Sequence, residues 1–371
     1  MSDRRFRVCP PHPLSRPGLT RKKPVFMTTS FDPDYLDGNA PDLNGASIMI
    51  TGGTGSFGQA FIRTALARYK PRKLIVFSRD ELKQYEMQQN PIFRDQECMR
   101  YFIGDVRDAD RLEMAMRDVD YVIHAAALKH VPAAEYNPFE CIRTNVHGAE
   151  NVVSASIRTD VKRIVALSTD KAANPVNLYG ASKLAADKIF VAGNNLSSGR
   201  PIYSVVRYGN VAGSRGSVVP FFRKLVAEGA AEMPITDDRM TRFWITITQG
   251  VEFVLSCLGG MEGGEIFVPK IPSMKVTDVA GAIAPDLPQR IVGIRPGEKL
   301  HEIMITEDDA RSAVELADRY VILPSDNTAL RESYLGRDAK TLTEGFTYAS
   351  NTNSHWLDQE GFRDMLAKAE A

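Results

Sequence analysis

From Ser47 onward the sequence alternates between short apolar runs and longer segments with helical spacing. The runs are rich in β-branched residues and are bounded by Gly, Asp or Ser, a pattern typical of buried parallel strands. They are SIMIT (47–51), KLIVF (73–77), MRYFI (99–103), YVIHA (121–125), RIVALS (163–168) and IYSVVR (202–207). Between them the spacing predicts helices, among others over 58–69, 108–117 and 138–157. This alternation predicts an α/β fold with a Rossmann-type, doubly wound parallel sheet.

After Arg207 the alternation loosens, and loops rich in Gly, Arg and Pro separate shorter elements. We expect this region to form a smaller C-terminal substrate-binding lobe over the carboxyl ends of the strands. The chain then ends in a predicted helix whose apolar side carries Phe362, Met365 and Leu366. The expected organisation is a tail at 1–44, a Rossmann domain at 45–210, and a lobe at 211–371 from which some elements return to the first domain.

Composition excludes several classes of protein. Lys and Arg together number 46, as do Asp and Glu, so the formal net charge is zero and does not favour nucleic acid or an anionic membrane. No apolar run approaches the roughly 18 residues that span a bilayer, so we expect a soluble, cytoplasmic protein. The four cysteines are widely spaced, which favours reduced thiols over disulfides or a zinc site. They are Cys9, Cys98, Cys141 and Cys257.

The N-terminal segment MSDRRFRVCPPHPLSRPGLTRKKPVF differs from the rest of the chain. It contains seven Lys or Arg, one Asp and five Pro, without the apolar stretch of a secretory signal. Its prolines also break the amphipathic helix that a transit peptide needs. We predict a disordered basic tail, with Met27 as an alternative start and a partner-binding arm as the other interpretation.

A glycine-rich motif follows the first predicted strand. In IMITGGTGSFG, Gly52, Gly55 and Gly58 precede a predicted helix, where glycines allow a tight turn and bring backbone N–H groups close to a pyrophosphate. The motif therefore predicts a dinucleotide site in the domain at 45–210. The loop residues expected to contact the cofactor are Gly52, Thr54, Gly55, Ser56, Phe57 and Gly58.

The end of the second strand bears on which dinucleotide binds. A carboxylate here usually holds the ribose 2′-OH of NAD, whereas VFSRDELK presents Ser78 and Arg79 first, with Lys83 one helical turn later. A hydroxyl and two cations suit a 2′-phosphate, so we predict NADP as the cofactor. Asp80 is a rival because it could either cap the helix or face the ribose. Further along, Asp105 in GDVRD is a predicted partner for the adenine amino group, and Val106 and Ser168 are further predicted cofactor contacts.

The segment STDKAANPVNLYGASK predicts the catalytic centre. Tyr179 and Lys183 share one helix face, so the lysine charge can favour the tyrosinate and contact the nicotinamide ribose. Thr169, Asp170 and Lys171 follow the fifth strand at its carboxyl end, where open α/β sheets bind ligands. Thr169 is suited to hydrogen-bond a sugar hydroxyl. Simple alcohol oxidation needs no second acid and base beside the tyrosine.

Several motifs together resemble one enzyme family. They include TGGTGSFG, FSRDELKQ, GDVRD, HAAALKHVPAAEYNP, STDKAANPVNLYGASK, RYGNVAGSRGSVVPFF, MTRFWIT, EIFVPKIPSM and GIRPGEKLHE. Over about residues 47–323 the chain is similar to the inverting UDP-N-acetylglucosamine 4,6-dehydratases, which are extended short-chain dehydrogenase/reductases that open the route to pseudaminic acid for flagellin glycosylation. The resemblance implies UDP-N-acetylglucosamine as substrate and a homo-oligomer, with a hexamer as one form.

The resemblance also implies roles for the two pairs. Tyr179 removes the C4 hydroxyl proton while NADP takes the C4 hydride, which makes the C5 proton acidic. Asp170 and Lys171 then serve the elimination of water across C5 and C6, and hydride returns to C6. Lys171 stands where C5-retaining relatives carry Glu. The assignment of each proton to Asp170, Lys171 or Tyr179 stays open.

A lysine base must be neutral to accept a proton. The adjacency of Asp170 and Lys171 favours the charged form of both. Against this, we expect Lys183 and the positive nicotinamide to lower the pKa of Lys171, burial to raise that of Asp170, and the pair to titrate as a unit.

Substrate contacts rest on the resemblance. Those implied for the UDP-sugar are Lys129, Asn210, Thr236 and Arg295, with Arg215 and Arg242 as further candidates for the diphosphate. His124 and His130 are expected to pack or orient other groups, and no metal site is predicted.

Three alternatives stay open. A UDP-sugar 4-epimerase or a C5-retaining dehydratase could use the same fold and hydride chemistry. An NADP-sensing regulator could use the fold without chemistry, but it would be expected to lose Tyr179 or Lys183.

Overall fold

The computed structural model describes residues 40–214 and 216–370. The predicted basic tail at 1–44 therefore lies outside the described residues except for its last five positions. No helix in the described part of the chain is both long and apolar enough to cross a membrane.

Each predicted strand is present, and helices connect one strand to the next. The strands of the first half are β1 Ser47–Thr51, β2 Lys73–Ser78, β3 Met99–Ile103, β4 Tyr121–His124, β5 Arg163–Thr169, β6 Ile202–Tyr208 and β7 Asn210–Val211. The helices between them are α1 Ser56–Arg68, α2 Glu81–Gln89, α3 Pro91–Arg94, α4 Ala109–Met116, α5 Val131–Tyr136, α6 Pro138–Ile142, α7 Gly148–Ile157 and α8 Leu178–Leu196. Most of these runs are buried on both faces, as a parallel sheet covered by helices requires, whereas β3 at the edge of the sheet is partly exposed.

One predicted helix is interrupted. The segment expected to be continuous over 138–157 contains a π-helical turn at Arg143–His147 between α6 and α7. The helical spacing persists through the turn, so the pattern of apolar residues gave no sign of it. Such turns shift the side chains that follow and often occur at functional sites.

The second half contains shorter elements. Its strands are β8 Met233–Ile235, β9 Thr241–Ile245, β10 Ile266–Pro269, β11 Ser273–Lys275, β12 Gln289–Ile291, β13 Ile303–Ile305, β14 Ala313–Glu315, β15 Arg319–Ile322, β16 Lys340–Thr341 and β17 Tyr348–Ala349. Its helices are α9 Val218–Ala227, α10 Ile247–Gly260, α11 Val276–Ile283, α12 Glu307–Ala310, α13 Thr328–Leu335 and α14 Gln359–Glu370.

The main sheet has the order β16-β14-β15-β10-β6-β5-β4-β1-β2-β3 among the described residues. Strands from β10 to β3 in this order pair in parallel, and β15, β14 and β16 extend the sheet antiparallel. The order 3-2-1-4-5-6 is that of a doubly wound dinucleotide-binding fold, whose crevice lies at the carboxyl ends of the strands where the order reverses. The predicted fold class is therefore confirmed.

A second hydrophobic cluster lies away from the main sheet. It gathers Phe222, Trp244 and Met274 from the shorter elements, and the indole of Trp244 contacts the ring of Phe362 edge to face at 4.9 Å between centroids. Phe362, Met365 and Leu366 are buried, as predicted for one side of the terminal helix. This cluster supports the loops that face the crevice from the second half of the chain.

Candidate active site

A cavity of about 690 Å³ opens at the carboxyl ends of β1, β2, β4 and β5. This volume is in the range of small-molecule sites, and the position is the reversal point of the strand order. Most residues predicted from the sequence line it, namely Gly52, Thr54, Gly55, Ser56, Phe57, Gly58, Ser78, Arg79, Lys83, Asp105, Val106, Lys129, Ser168, Thr169, Lys171, Tyr179, Lys183 and Asn210.

The glycine loop has the shape that a pyrophosphate requires. Helix α1 begins at Ser56, so its free backbone N–H groups point into the cavity. A Cβ on Gly58 would lie only 2.5 Å from the Cα of Gly53, so this packing of helix against loop excludes any side chain. Thr54 Oγ1 lies 2.9 Å from Ser78 Oγ and joins the loop to the end of β2. The loop therefore fits a dinucleotide pyrophosphate.

The two cations at the end of β2 each meet a carboxylate. Arg79 Nη1 lies 3.5 Å from Asp105 Oδ2, and Lys83 Nζ lies 2.7 Å from Asp80 Oδ2. Asp80 caps α2, as one of its two expected roles required, by accepting from the backbone N–H of Lys83 at 3.0 Å, and it also lines the cavity. Exposed ion pairs of this kind are weak, so both cations can exchange one anionic partner for another.

Asp105 is held by a further cation. The Arg107 guanidinium donates to Asp105 Oδ2 at 2.6 and 2.9 Å. Burial raises the pKa of Asp105, but the hydrogen bonds and charge of Arg107 outweigh it, so the pKa is lowered. The group stays a carboxylate at the cavity wall and can accept a hydrogen bond.

The catalytic turn follows β5. A 3-10 turn at Asp170–Ala172 buries the carboxylate of Asp170 completely. Its Oδ1 accepts from Thr169 Oγ1 at 2.9 Å and from Lys171 Nζ at 3.0 Å, whereas its Oδ2 has no hydrogen-bond partner among the described residues. Thr169 and Lys171 line the cavity and Asp170 lies behind them. Asp170 is therefore connected to the cavity through these two side chains.

The surroundings of Lys171 differ from the sequence-based expectation. Burial lowers the pKa of Lys171, but the carboxylates of Asp170 and Glu302 act in the opposite direction and the net pKa is raised, not lowered. Glu302 Oε1 lies 3.6 Å from Lys171 Nζ. The charge of the neighbouring Asp170 raises the pKa most, and Glu302, which comes from a distant part of the chain, adds to it.

Tyr179 and Lys183 lie one turn apart on α8, which begins at Leu178 after the capping side chain of Asn177. Lys183 Nζ donates to the backbone carbonyl of Leu167 at 2.6 Å, and burial lowers its pKa. Burial raises the pKa of Tyr179 to about 12, and the cation that opposes this is Lys171. Lys171 therefore favours the tyrosinate, which is a contribution that the sequence predicted for Lys183 alone.

Gly180 explains how α8 approaches the catalytic turn. A Cβ at this position would lie 2.2 Å from the carbonyl oxygen of Lys171. Only glycine permits that distance, so the first turn of α8 packs directly against the turn that carries Asp170 and Lys171. The hydride pair and the second acid/base pair are thereby brought into one cavity.

Four residues predicted to bind substrate are not placed in the cavity. The Arg242 guanidinium donates to the carbonyls of Thr241 and Lys299 at 2.7 and 3.0 Å, and its side chain is 11% exposed. Thr236 Oγ1 donates to Met240 Sδ at 3.3 Å. The other two are Arg295, which lies in an exposed loop away from the cavity lining, and Arg215, which lies outside the described residues.

Sequence reasoning did not identify Asn145. It sits in the π-helical turn, where its Nδ2 donates to Ser182 Oγ and to the Leu128 carbonyl, both at 2.9 Å. These bonds tie the loop after β4 to α8 next to the catalytic pair. No sequence motif marks Asn145, because the π-helical turn determines where its side chain points.

His124 has a packing role, as expected. Its Nδ1 lies 2.9 Å from Thr51 Oγ1, and burial together with the charge of Lys183 lowers its pKa to about 3. Its ring packs on Phe190. Among the described residues there is no cluster of three or more His, Cys, Asp or Glu that could hold a metal ion.

Comparison with known proteins identifies the family. The family described as "Polysaccharide biosynthesis protein" matches residues 48–324. A UDP-N-acetylglucosamine 4,6-dehydratase (inverting) of Campylobacter jejuni is 57% identical over 334 residues, which is 88% of this chain and 99% of the relative. A UDP-glucose 4-epimerase of Rickettsia akari is 41% identical over 86% of this chain and 95% of its own length.

Solved structures share the fold. The dTDP-glucose 4,6-dehydratase DesIV of Streptomyces venezuelae, solved with NAD and TYD, superimposes with a TM-score of 0.61 over 68% of this chain and 86% of that chain at 23% identity. The resemblance drawn from the motifs is confirmed by the Campylobacter relative and the family match. The chain belongs to the polysaccharide biosynthesis protein family of extended short-chain dehydrogenase/reductases.

Proposed function

We propose that this chain is an NADP-dependent UDP-N-acetylglucosamine 4,6-dehydratase, a hydro-lyase that inverts C5 and gives a UDP-2-acetamido-2,6-dideoxy-β-L-arabino-hex-4-ulose. The observation that carries the proposal is the position of Lys171, which faces the same cavity as Tyr179 and Lys183. The 57% identity to an enzyme of that name over nearly its whole length supports the substrate and the stereochemistry.

The residues that would hold the cofactor are the glycine loop, the end of β2 and the catalytic helix. The glycine loop takes the pyrophosphate, Arg79 and Lys83 take the 2′-phosphate, and Lys183 takes the nicotinamide ribose. The bound nicotinamide supplies a reversible hydride acceptor. The preference for NADP rests on two cations beside Ser78, and the exposed Asp80 carboxylate is the feature that favours NAD.

The chain's own groups then divide the proton transfers. Tyr179 takes the proton of the C4 hydroxyl, and the C4 carbonyl that results makes the C5–H bond acidic. Lys171 takes the C5 proton, and the electron pair of that bond expels the C6 hydroxyl as the C6–O bond breaks. The hydroxyl leaves as water, with its proton supplied from the Asp170–Thr169 side of the cavity, where Thr169 Oγ1 donates to the buried carboxylate. The hydride removed from C4 would then return to C6, and a proton added to C5 on the opposite face would complete the C6 methyl and the inverted C5.

Family membership by itself does not separate this reaction from epimerisation, since relatives of both names match the chain. An epimerase moves a hydride at C4 and needs no base at C5. Elimination needs a base that can reach C5, and the Lys171 side chain, which is 25% exposed, reaches the cavity beside Tyr179. A C5-retaining dehydratase is the other enzymatic alternative.

Proton NMR of the purified protein with UDP-N-acetylglucosamine in D₂O tests the proposal, first without and then with added NADP. We expect a new C6 methyl signal, deuterium at C5 and L-arabino couplings. D-xylo couplings would support retention at C5, and a C4 epimer alone would support the epimerase. No change in the presence of either NADP or NAD would contradict all three.

Some expectations from the resemblance stay predictions. They are the use of the product for pseudaminic acid in flagellin or a surface glycan, a cytoplasmic location, and a homo-oligomer. Light scattering of the full chain measures the last of these directly.

A further inference from the structure

A second buried carboxylate lies behind Lys171. Glu302, just before β13, is 2% exposed, and its Oε1 lies 3.6 Å from both Lys171 Nζ and Arg242 Nε. Its Oε2 has no hydrogen-bond partner among the described residues and lies 3.9 Å from Lys299 Nζ. Burying a carboxylate this deeply costs desolvation free energy, which nearby opposite charges such as the Lys171 ammonium offset.

The segment that carries Glu302 is fixed to the catalytic turn. Asn177 Nδ2 donates to the Gly297 carbonyl at 2.7 Å, and Lys299 Nζ donates to the Ala173 carbonyl at 2.6 Å. The backbone N–H of Glu302 donates to Ser350 Oγ at 2.9 Å. These bonds determine where the carboxylate stands relative to Lys171.

Lys171 lines the cavity, whereas neither Asp170 nor Glu302 does. The lysine side chain is long and has many rotamers, so an unheld ammonium would be poorly placed for a proton on substrate. Two carboxylates from different parts of the chain restrict Nζ to the cavity wall.

We propose that Glu302 is a positioning residue that, together with Asp170, holds the Lys171 ammonium at the cavity wall and controls its affinity for a proton. This inference rests on the proposed function, in which Lys171 takes the C5 proton. Glu302 touches neither substrate nor the reacting atoms and acts through Lys171.

The charged and titratable groups around Lys171 determine the sign of the effect. They are Asp170 on the same turn, Glu302, Arg242 on β9, Tyr179 on α8 and Lys299. Removing the charge of Glu302 leaves Asp170 as the one carboxylate described next to the ammonium. The neutral form of Lys171 then becomes available at lower pH.

The test is the pH profile of product formation for Glu302→Gln, with Glu315→Gln as the matched control. Glu315 pairs with Lys270 at 2.7 Å, away from the cavity. We expect the limb that reports loss of the Lys171 proton to move down by about one pH unit or more in Glu302→Gln and to stay in place in the control. We also expect kcat to fall about tenfold or more with KM nearly unchanged.

Glu302→Asp keeps the charge on a shorter side chain and should restore the limb with part of the lost kcat. An unmoved limb in Glu302→Gln, or an equal movement in Glu315→Gln, would overturn the proposal. Circular dichroism and thermal unfolding check the folding of each variant. If Glu302→Gln does not fold, Glu302→Asp is the test: kcat should fall although the limb stays near its wild-type position, and a wild-type kcat would overturn the proposal.

A second readout separates this inference from the proposed function. The ¹³Cε signal of Lys171, assigned by its loss in Lys171→Arg, is titrated in the full-length protein without substrate. A lower midpoint in Glu302→Gln supports the inference even if UDP-N-acetylglucosamine is not turned over. An unchanged midpoint overturns it whatever the substrate is.

Discussion

At the scale of single residues, the protonation of the site depends on which charged side chains lie close together away from solvent. Lys171 lies 3.0 Å from Asp170 and 3.6 Å from Glu302, so none of the three has the environment of an isolated side chain. Lys183, by contrast, donates a hydrogen bond to a backbone carbonyl, and the nearby carboxylate of Asp187 raises its pKa against the effect of burial. The two lysines therefore have different electrostatic surroundings although they line one cavity.

Lys171→Ala should abolish elimination while cofactor binding is kept, because Lys171 lies outside the glycine loop and the β2 end. We expect the rate of methyl formation to fall at least about a hundredfold. NMR of the product and calorimetric titration with NADP measure the two effects. Lys188→Ala, at an exposed position of α8, is the control. Full dehydratase activity in Lys171→Ala would remove this residue from the mechanism.

Arg79→Ala should weaken NADP about tenfold or more and leave NAD nearly unchanged, because a charged hydrogen bond to the 2′-phosphate is lost. Calorimetric titration of each dinucleotide into wild type and variant gives both dissociation constants. Arg94→Ala, whose side chain is exposed on α3, controls for general charge. If both cofactors lose affinity equally, Arg79 does not read the 2′-phosphate.

At the scale of elements, the first turn of α8 and the turn after β5 form one unit. Their contact at Gly180 leaves no room for a methyl group. The π-helical turn adds a second attachment through Asn145 and Ser182. The relative position of Tyr179 and Lys171 is therefore a property of how these elements pack.

Gly180→Ala should displace the catalytic turn and lower both activity and stability. The new Cβ would lie 2.2 Å from the Lys171 carbonyl, and overpacking of this kind costs about 1–3 kcal/mol. Gly250→Ala in α10 is a matched control, because its Cβ would meet no atom within 4 Å. Urea unfolding and the methyl assay measure both variants. Equal behaviour of the two would contradict the close packing at Gly180.

At the scale of the whole molecule, the sheet carries buried polar groups that tie its strands and layers together. His124 at the end of β4 joins Thr51 of β1 and packs on Phe190 of α8. Arg207 of β6 donates to the Met304 carbonyl at 2.9 Å and lies 3.4 Å from Asp187. Removing any of these groups affects the folding equilibrium of the entire sheet.

The pH dependence of stability should report His124. Its folded pKa of about 3 lies below the ordinary value of 6.5, so between these values the unfolded chain binds the extra proton. The free energy of unfolding should therefore fall as the pH falls through this window, by about 2 kcal/mol at pH 5 relative to pH 8.

Urea unfolding at pH 8 and pH 5 checks this for wild type, His124→Phe and His147→Gln. The difference between the two pH values should shrink by that amount in His124→Phe only, since His147 is exposed. A difference that stays the size of the wild-type value in His124→Phe would show that this histidine does not carry the effect.

The sequence by itself determined the features that depend on neighbours along the chain. The strands from 47 to 208, the glycine loop and the spacing of Tyr179 and Lys183 follow from local periodicity and from turns that only certain residues can make. The motif resemblance also identified the family correctly. The six predicted strands and most of the residues that line the cavity could therefore be predicted from short-range patterns.

Only the tertiary structure decided which distant groups meet. Glu302 reaches Lys171 from a segment far along the chain and, together with Asp170, raises the pKa of the lysine. Arg242, which was expected to contact the diphosphate, donates hydrogen bonds to backbone carbonyls. Such outcomes depend on long-range packing and on desolvation in a shared interior, and local patterns contain neither, because burial of a charge is set by everything that surrounds it.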